Sequence, residues 1–173
     1  DEKLINKKLE EEMDKVRKHL EKLLGAPVKK TDDCIGLEVK KEVDSLESGK
    51  VMLLENLRFH KEEEENSENF AKKLAQLGDI YINEAFSESH RDYASIVGVP
   101  KYLPHGIGFL FEKELEHLDK ILKNPQRPLV ILVGGKKVED KAKYAQKISG
   151  LADWVLVGGL VKKELKKNNL ESD

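Results

Sequence analysis

Four times along the chain a short apolar run stops abruptly at polar, charged or glycine residues. Val51-Met52-Leu53-Leu54 gives way to Glu55-Asn56, and Ile80-Tyr81-Ile82 to Asn83-Glu84. Leu129-Val130-Ile131-Leu132-Val133 gives way to Gly134-Gly135, and Trp154-Val155-Leu156-Val157 to Gly158-Gly159. Runs of this length read as strands, and the unbroken one at Val51 to Leu54 reads as a parallel strand buried on both faces. Stretches with helical spacing of apolar residues lie between them, so the pattern is that of an α/β fold built on parallel strands.

The first such stretch carries Leu4, Ile5, Leu9, Met13, Val16, Leu20, Leu23 and Leu24 on one stripe and stops at Gly25-Ala26-Pro27. It predicts a helix packed on the core; a coiled-coil or partner-binding role is the competing reading. Val28 opens a short extended piece, and Leu37, Val39, Val43 and Leu46 predict a second helix closing at Gly49. The acidic run Glu62 to Glu65 reads as a solvated loop rather than a metal site. Ser67 is placed to cap a helix bearing Phe70, Leu74 and Leu77. Ser95 to Leu103 predicts a short helix, and Pro104, Gly106 and Gly108 predict a change of chain direction. Phe111, Leu115, Leu118 and Leu122 line a longer helix that serves equally as a core element or as a connector between two lobes.

The strand ends carry the chemistry. In open α/β sheets, ligands collect beyond the carboxyl ends of the strands. Arg58 follows the Val51 run, and His90 and Arg91 follow the Ile80 run one strand-helix unit later. Two arginines so placed can converge on one anion, because a guanidinium grips phosphate or carboxylate with two parallel hydrogen bonds. The alternative is a pair of solvated surface arginines, which contribute little. Gly134 and Gly135 let backbone approach a ligand, and the free N–H groups of a following helix favour negative charge. Lys137 and Lys141 lie four apart on one face of that helix, which suits phosphate. The spacing is not that of a P-loop, and Gly-Gly-Lys alone is weak evidence.

Composition narrows the classes. The chain has 173 residues and a formal net charge of −2 with abundant charges of both signs, which argues against a generally basic nucleic-acid binder. Cys34 is the only cysteine, so an intramolecular disulfide and cysteine-rich zinc sites are excluded, and it reads as a small buried filler in a cytoplasmic protein. No apolar run approaches the roughly 18 to 20 residues of a membrane span. Nor is there a Ser-His-Asp order, a His-Glu-x-x-His motif or a Cys/His ligand spacing, so hydrolytic and zinc chemistry lack support.

Several ordered segments resemble one family. These are Leu53-Leu54-Glu55-Asn56-Leu57-Arg58-Phe59-His60, then Asn83-Glu84-Ala85-Phe86 with His90-Arg91, then Gly108-Phe109-Leu110 with Glu112-Lys113-Glu114-Leu115. Asn124-Pro125 with Arg127-Pro128 follows, and then Gly134-Gly135-Lys136-Lys137-Val138-Glu139-Asp140-Lys141. Together they resemble phosphoglycerate kinase. The resemblance implies Rossmann-like parallel-sheet lobes: an incomplete N-terminal lobe over residues 1–108, an interdomain helix over 109–124, and the start of a C-terminal nucleotide-binding lobe over 125–173. It implies that Arg58, His90 and Arg91 bind 3-phosphoglycerate or 1,3-bisphosphoglycerate. Lys137 and Lys141 match catalytic, nucleotide-phosphate lysines, and Gly134, Gly135, Gly158 and Gly159 match glycines lining the ADP/ATP cleft. The implied activity is reversible phosphoryl transfer in glycolysis, in the cytoplasm, by a monomer when full-length, with no membrane or nucleic-acid partner.

Parts of the family pattern have no counterpart here. The opening Asp-Phe-Asn and His-Leu-Gly-Arg motifs and a catalytic arginine are missing, as is the later Gly-Gly-Asp segment, so the Mg2+ ligand is expected outside this chain. Lys136 stands where alanine is usual, Glu84 where aspartate is common and Tyr93 where histidine is common, and Leu160 to Leu165 lacks the family's small-residue and Thr-Phe pattern. The chain is therefore expected to be a central portion without turnover of its own. The competing reading is a non-catalytic anion-binding or interaction module on the same fold.

Overall fold

The computed structural model describes residues 2–134, 145, 147–159 and 162–163, the side chains from residue 12 onward. The chain divides into two compact units, residues 1–112 and 113–173, taken here one at a time.

In the first unit, helix α1 (Glu2–Leu24) leads to strand β1 (Val28–Lys30), and helix α2 (Leu37–Asp44) to strand β2 (Val51–Leu53). The two strands are parallel, with Val28 opposite Val51 and Lys30 opposite Leu53. Glu21 joins helix to strand by accepting the Val28 N–H at 3.1 Å while paired with Arg17 at 2.9 Å. A single turn of 3-10 helix (Leu57–Phe59), the short helix α3 (Lys61–Glu64) and helix α4 (Glu68–Ala75) come next. Strand β3 (Tyr81–Asn83) pairs in parallel with strand β4 (His105–Ile107). Between them lie a 3-10 turn (Phe86–Glu88), a π-helical turn (Ala94–Gly98) and a 3-10 turn (Val99–Lys101). Helix α5 (Phe109–Lys123) then begins, and the boundary between the units falls within it.

The core of this unit forms where α4 meets the π-helical turn. Cys34, Phe70, Ala71, Ala75, Ala94 and Val99 are buried together, with Leu54, Leu57, Leu74 and Tyr81 packed against them. Small residues set the closeness of the packing. A Cβ on Gly98 would lie 2.7 Å from that of Ala71, so only glycine lets the turn approach α4 this closely.

The second unit holds strands β5 (Val130–Val133) and β6 (Trp154–Val157), again parallel, with Val130 opposite Trp154 and Val133 opposite Val157. Asp153 closes the start of this pair: it accepts the Leu129 N–H at 2.6 Å and an Arg127 guanidinium N–H at 3.0 Å. Those two bonds hold its carboxyl below the usual carboxylate range. The Arg127–Pro128 peptide is cis.

Several expectations change. The acidic run at Glu62 to Glu65 forms most of α3, and Glu63 is buried rather than solvated. Ser67 occupies the position before α4 but makes no side-chain cap; its carbonyl takes the Ala71 N–H instead. Where a helix over Ser95 to Leu103 is expected, the chain forms the π-helical turn and the 3-10 turn. Strand β4 has no apolar signature in the sequence, since His105-Gly106-Ile107 is added to β3 by backbone bonding alone. The strands are less covered than buried parallel strands would be: Val51 is exposed, and so are Ile82 and Ile107, which lie on opposite faces of their pair. The stripe on α1 is likewise largely uncovered at Val16, Leu23 and Leu24, against the expectation of core packing.

Candidate functional site

The two strand exits of the first unit lie close enough for Arg58 and Arg91 to share partners. Asn56 fixes the first: its side-chain oxygen accepts the Arg58 N–H at 3.0 Å and starts the 3-10 turn. The second is fixed by the turn after β3, where Asn83 accepts the Ala85 N–H at 2.8 Å and Glu88 O accepts the Arg91 N–H at 3.0 Å. From these turns both guanidinium groups reach Oε2 of Glu88: Arg58 Nη2 is bonded to it, and Arg91 Nε lies 3.1 Å away. The Arg91 contact is a charge contact only, since that buried N–H is not aligned for a hydrogen bond.

Tyr93 is the other shared element. Its ring centroid is 5.3 Å from the Arg58 guanidinium carbon and 5.4 Å from that of Arg91, within cation–π range. Its hydroxyl accepts from Arg91 Nη1 at 2.6 Å and lies 3.4 Å from Glu64. The hydrogen bond that Arg91 donates to Tyr93, followed by the charge interaction with that residue, raises the Arg91 pKa. Thus the arginines converge, with an aromatic platform beneath them. His90, expected beside them, is exposed.

Beneath the exits lie buried carboxylates. Glu55 is 5 % exposed, accepts the Asn56 N–H at 2.7 Å and pairs with Lys30 at 2.8 Å across β1 and β2. Burial alone would lower the Lys30 ammonium, but the Glu55 contact and charge outweigh it and raise its pKa. Glu63 accepts from the Ser95 N–H at 3.0 Å and from the Ser95 hydroxyl, tying α3 to the π-helical turn directly after Tyr93. Glu84 links β3 to α5 by accepting the N–H groups of Leu110 at 3.2 Å and Phe111 at 3.0 Å, where a carboxylate also suits the helix dipole.

One group of potential cation donors occurs among the described residues: Asp33, Cys34 and His60, with ligand atoms within 4.8 Å of one another. Asp33 Oδ1 and His60 Nε2 are 2.7 Å apart, a hydrogen-bond distance shorter than the ~3.3 Å between two ligands tetrahedrally placed on one zinc ion. Burial pushes the Cys34 thiol up to about 12, which keeps it protonated. Thiol and imidazole are also the wrong donors for Mg2+, which takes oxygen. This group therefore does not fit a magnesium ion.

In the second unit the register that places Val133 opposite Val157 sets Gly134 and Gly158 side by side at the carboxyl ends of β5 and β6. A Cβ on Gly158 would lie 3.5 Å from Gly134 Cα, and one on Gly134 or Gly159 would meet open space. Neither Gly134 nor Gly158 puts a side chain over this end of the strand pair. Gly135, Lys137 and Lys141 lie outside the described residues.

The phosphoglycerate kinase family model matches residues 3–171, nearly the whole chain. The chain belongs to the phosphoglycerate kinase family. Among curated relatives, the phosphoglycerate kinase of Dictyoglomus turgidum is 48% identical over 147 residues, which cover 85% of this chain and 37% of that one. The Moorella thermoacetica phosphoglycerate kinase is 47% identical over 88% of this chain and 39% of its own length. The chloroplastic phosphoglycerate kinase of Chlamydomonas reinhardtii is 50% identical over 81% of this chain and 31% of its own. In structure, the phosphoglycerate kinase of Pyrococcus horikoshii superposes with a TM-score of 0.78 at 33% identity, covering 91% of this chain and 45% of that one. The Coxiella burnetii phosphoglycerate kinase gives 0.67 at 34% identity, covering 91% and 39%. The chain thus spans well under half the length of the phosphoglycerate kinases it matches, and its fold is theirs.

Sequence reading placed Arg58 and Arg91 on one site but missed Glu88 and left Tyr93 as a departure from the family pattern. Only the position of Glu88 three residues before Arg91 hinted at its contact, since its other partner is 30 residues away.

Proposed function

We infer that this chain supplies part of the acid-phosphate site and part of the nucleotide site of a phosphoglycerate kinase, for reversible phosphoryl transfer between 1,3-bisphosphoglycerate and ADP. The carrying observation is the convergence of Arg58 and Arg91 on one oxygen and one ring. Phosphoryl transfer requires mostly positioning and neutralisation of charge on the moving group, so cations at fixed spacing are what the protein must provide. On this reading residues 1–108 form part of the lobe that holds 3-phosphoglycerate, through Arg58, Arg91 and the neighbouring His90. Residues 109–124 connect the lobes, and 125–173 begin the nucleotide lobe. There Gly134, Gly135, Gly158 and Gly159 admit the phosphates of ADP or ATP, and Lys137 and Lys141 neutralise them. The proposed setting is glycolysis in the cytoplasm.

Titration of the chain with 3-phosphoglycerate tests this reading. Saturable binding is expected, lost in Arg58→Ala and Arg91→Ala and untouched by Lys137→Ala, whereas ADP binding shows the reverse dependence. Equal binding by all variants would overturn it. A second reading, a non-catalytic anion-binding module, draws on the exposure of the two arginines, 45 % for Arg58 and 39 % for Arg91. That module would bind simple anions without distinguishing 3-phosphoglycerate from inorganic phosphate.

A further inference from the structure

Arg58 and Arg91 meet at one carboxylate oxygen. Oε2 of Glu88 takes the Arg58 Nη2 bond and faces Arg91 Nε at 3.1 Å. Both guanidinium carbons lie within 5.4 Å of the Tyr93 ring centroid, and the Tyr93 hydroxyl links Arg91 to Glu64. An anion gripped by both arginines must therefore occupy the place where that carboxylate oxygen sits. Glu88 is on the same turn as Arg91, so its carboxylate is present at high local concentration. Its side chain is 37 % exposed and those of Arg58 and Arg91 are 45 % and 39 % exposed, so solvent and ligand can reach all three. Ion pairs this exposed are weak and can be displaced.

We propose that Glu88 is an internal competitor in the anion seat, which a phosphate must displace from Arg58 and Arg91 in order to bind. The inference rests on the reading of these arginines as the substrate-anion site. A tethered carboxylate offers a single negative charge and, here, a single oxygen to the two forks. A phosphate dianion brings three terminal oxygens and a higher charge, so it can bond both guanidinium groups at once. A free monoanionic carboxylate has no such advantage over Glu88. The side chain thus lowers the affinity of every anion by one factor, so that only strongly bound, phosphorylated ligands overcome it, while it keeps the two cations together in the empty site. A site populated in its open form only part of the time shows an affinity reduced by that fraction.

The test compares Glu88→Gln with the unaltered chain, titrating each with inorganic phosphate and with glycerate by calorimetry. Removing the charge while keeping the shape is expected to tighten phosphate binding about threefold to tenfold, and glycerate binding by the same factor, since opening the seat costs every anion alike. Glu88→Asp, which keeps the charge, is expected to show no gain. Unchanged or weaker phosphate binding in folded Glu88→Gln would overturn the proposal and make Glu88 a scaffold for the arginines. A carboxylate-carbon NMR signal of Glu88 that moves as phosphate saturates the unaltered chain is the second readout, and its failure to move counts against displacement. Arg58→Ala and Arg91→Ala, run alongside, separate the two claims. If they abolish phosphate binding while Glu88→Gln gains nothing, the competitor is wrong and the anion site stands. If they bind as well as the unaltered chain, the site itself is wrong.

Discussion

Glu63 is 2 % exposed and accepts from both the N–H and the hydroxyl of Ser95, so its carboxylate is held where water cannot replace its partners. Removing a charged partner from a buried donor costs more than the bond itself contributes, because the remaining donor is left unsatisfied. Glu63→Ala is therefore expected to lower stability by about 2 to 4 kcal/mol, and Ser95→Ala by about half as much, read from urea unfolding curves. The neighbouring Glu62 and Glu65 are exposed, and their alanine variants should lie within about 0.5 kcal/mol of the unaltered chain. Asp33 supplies the pH dependence. Burial alone would raise its carboxyl, but hydrogen bonds from His60 and the Cys34 N–H outweigh this and lower the pKa from 3.8. A carboxyl lowered in the folded state contributes stability above its unfolded pKa and loses it as pH falls through the folded value. Acid unfolding should thus steepen below pH 3.8, and Asp33→Asn should flatten that limb, in denaturant titrations at stepped pH. Single residues were the least legible in sequence, since Glu62 to Glu65 read as one solvated run. Which of four adjacent carboxylates turns inward is decided by Ser95, 32 residues away.

At the scale of elements, the contact between α4 and the π-helical turn is a close steric constraint between two packed backbones. Gly98 is essential there for closeness rather than for an unusual backbone, because an added methyl would meet Ala71 Cβ at 2.7 Å and Asn66 Oδ1 at 3.2 Å. Gly98→Ala should cost about 1 to 3 kcal/mol through overpacking. Ala71→Gly in the same chain should recover part of that loss despite the penalty of glycine in a helix, a coupling that a double-mutant cycle measures. The strand runs at Val51, Ile80, Leu129 and Trp154 were legible because an apolar run ending at polar residues or glycine is itself the signal. Strand β4 was not, because its identity comes from the backbone it offers to Tyr81 through Asn83. Glu84 shows the same limit. In sequence it is only a substitution for aspartate, and its reach across 26 residues to the first turn of α5 belongs to tertiary structure.

Over the whole molecule, the family was legible because ordered motifs survive along nearly the entire chain, whereas the exposure of its strands was not. The sequence pattern of β5 and β6 is one of buried runs, yet Val130, Leu132, Trp154 and Leu156 are 50, 76, 65 and 53 % exposed. The register places Val130 opposite Trp154 and Leu132 opposite Leu156, so the four side chains share one open apolar face. Patches of this kind favour association, and paired strands with open edges add a template for it. Because the chain spans well under half the length of the kinases it matches, a coupled assay for ATP formation is expected to show no turnover. Measurable ATP would mean that these 173 residues carry the activity unaided. Association has its own readout: Trp154, the only tryptophan, lies on the open face. Raising the concentration of the chain is expected to shift its fluorescence to the blue as the indole leaves water, in step with a larger sedimentation coefficient. Leu132→Lys with Leu156→Glu should hold the emission red and the chain monomeric, since neither site is buried and an opposite-charge pair across the strands is tolerated. A blue shift that persists in the double variant would place the contact elsewhere.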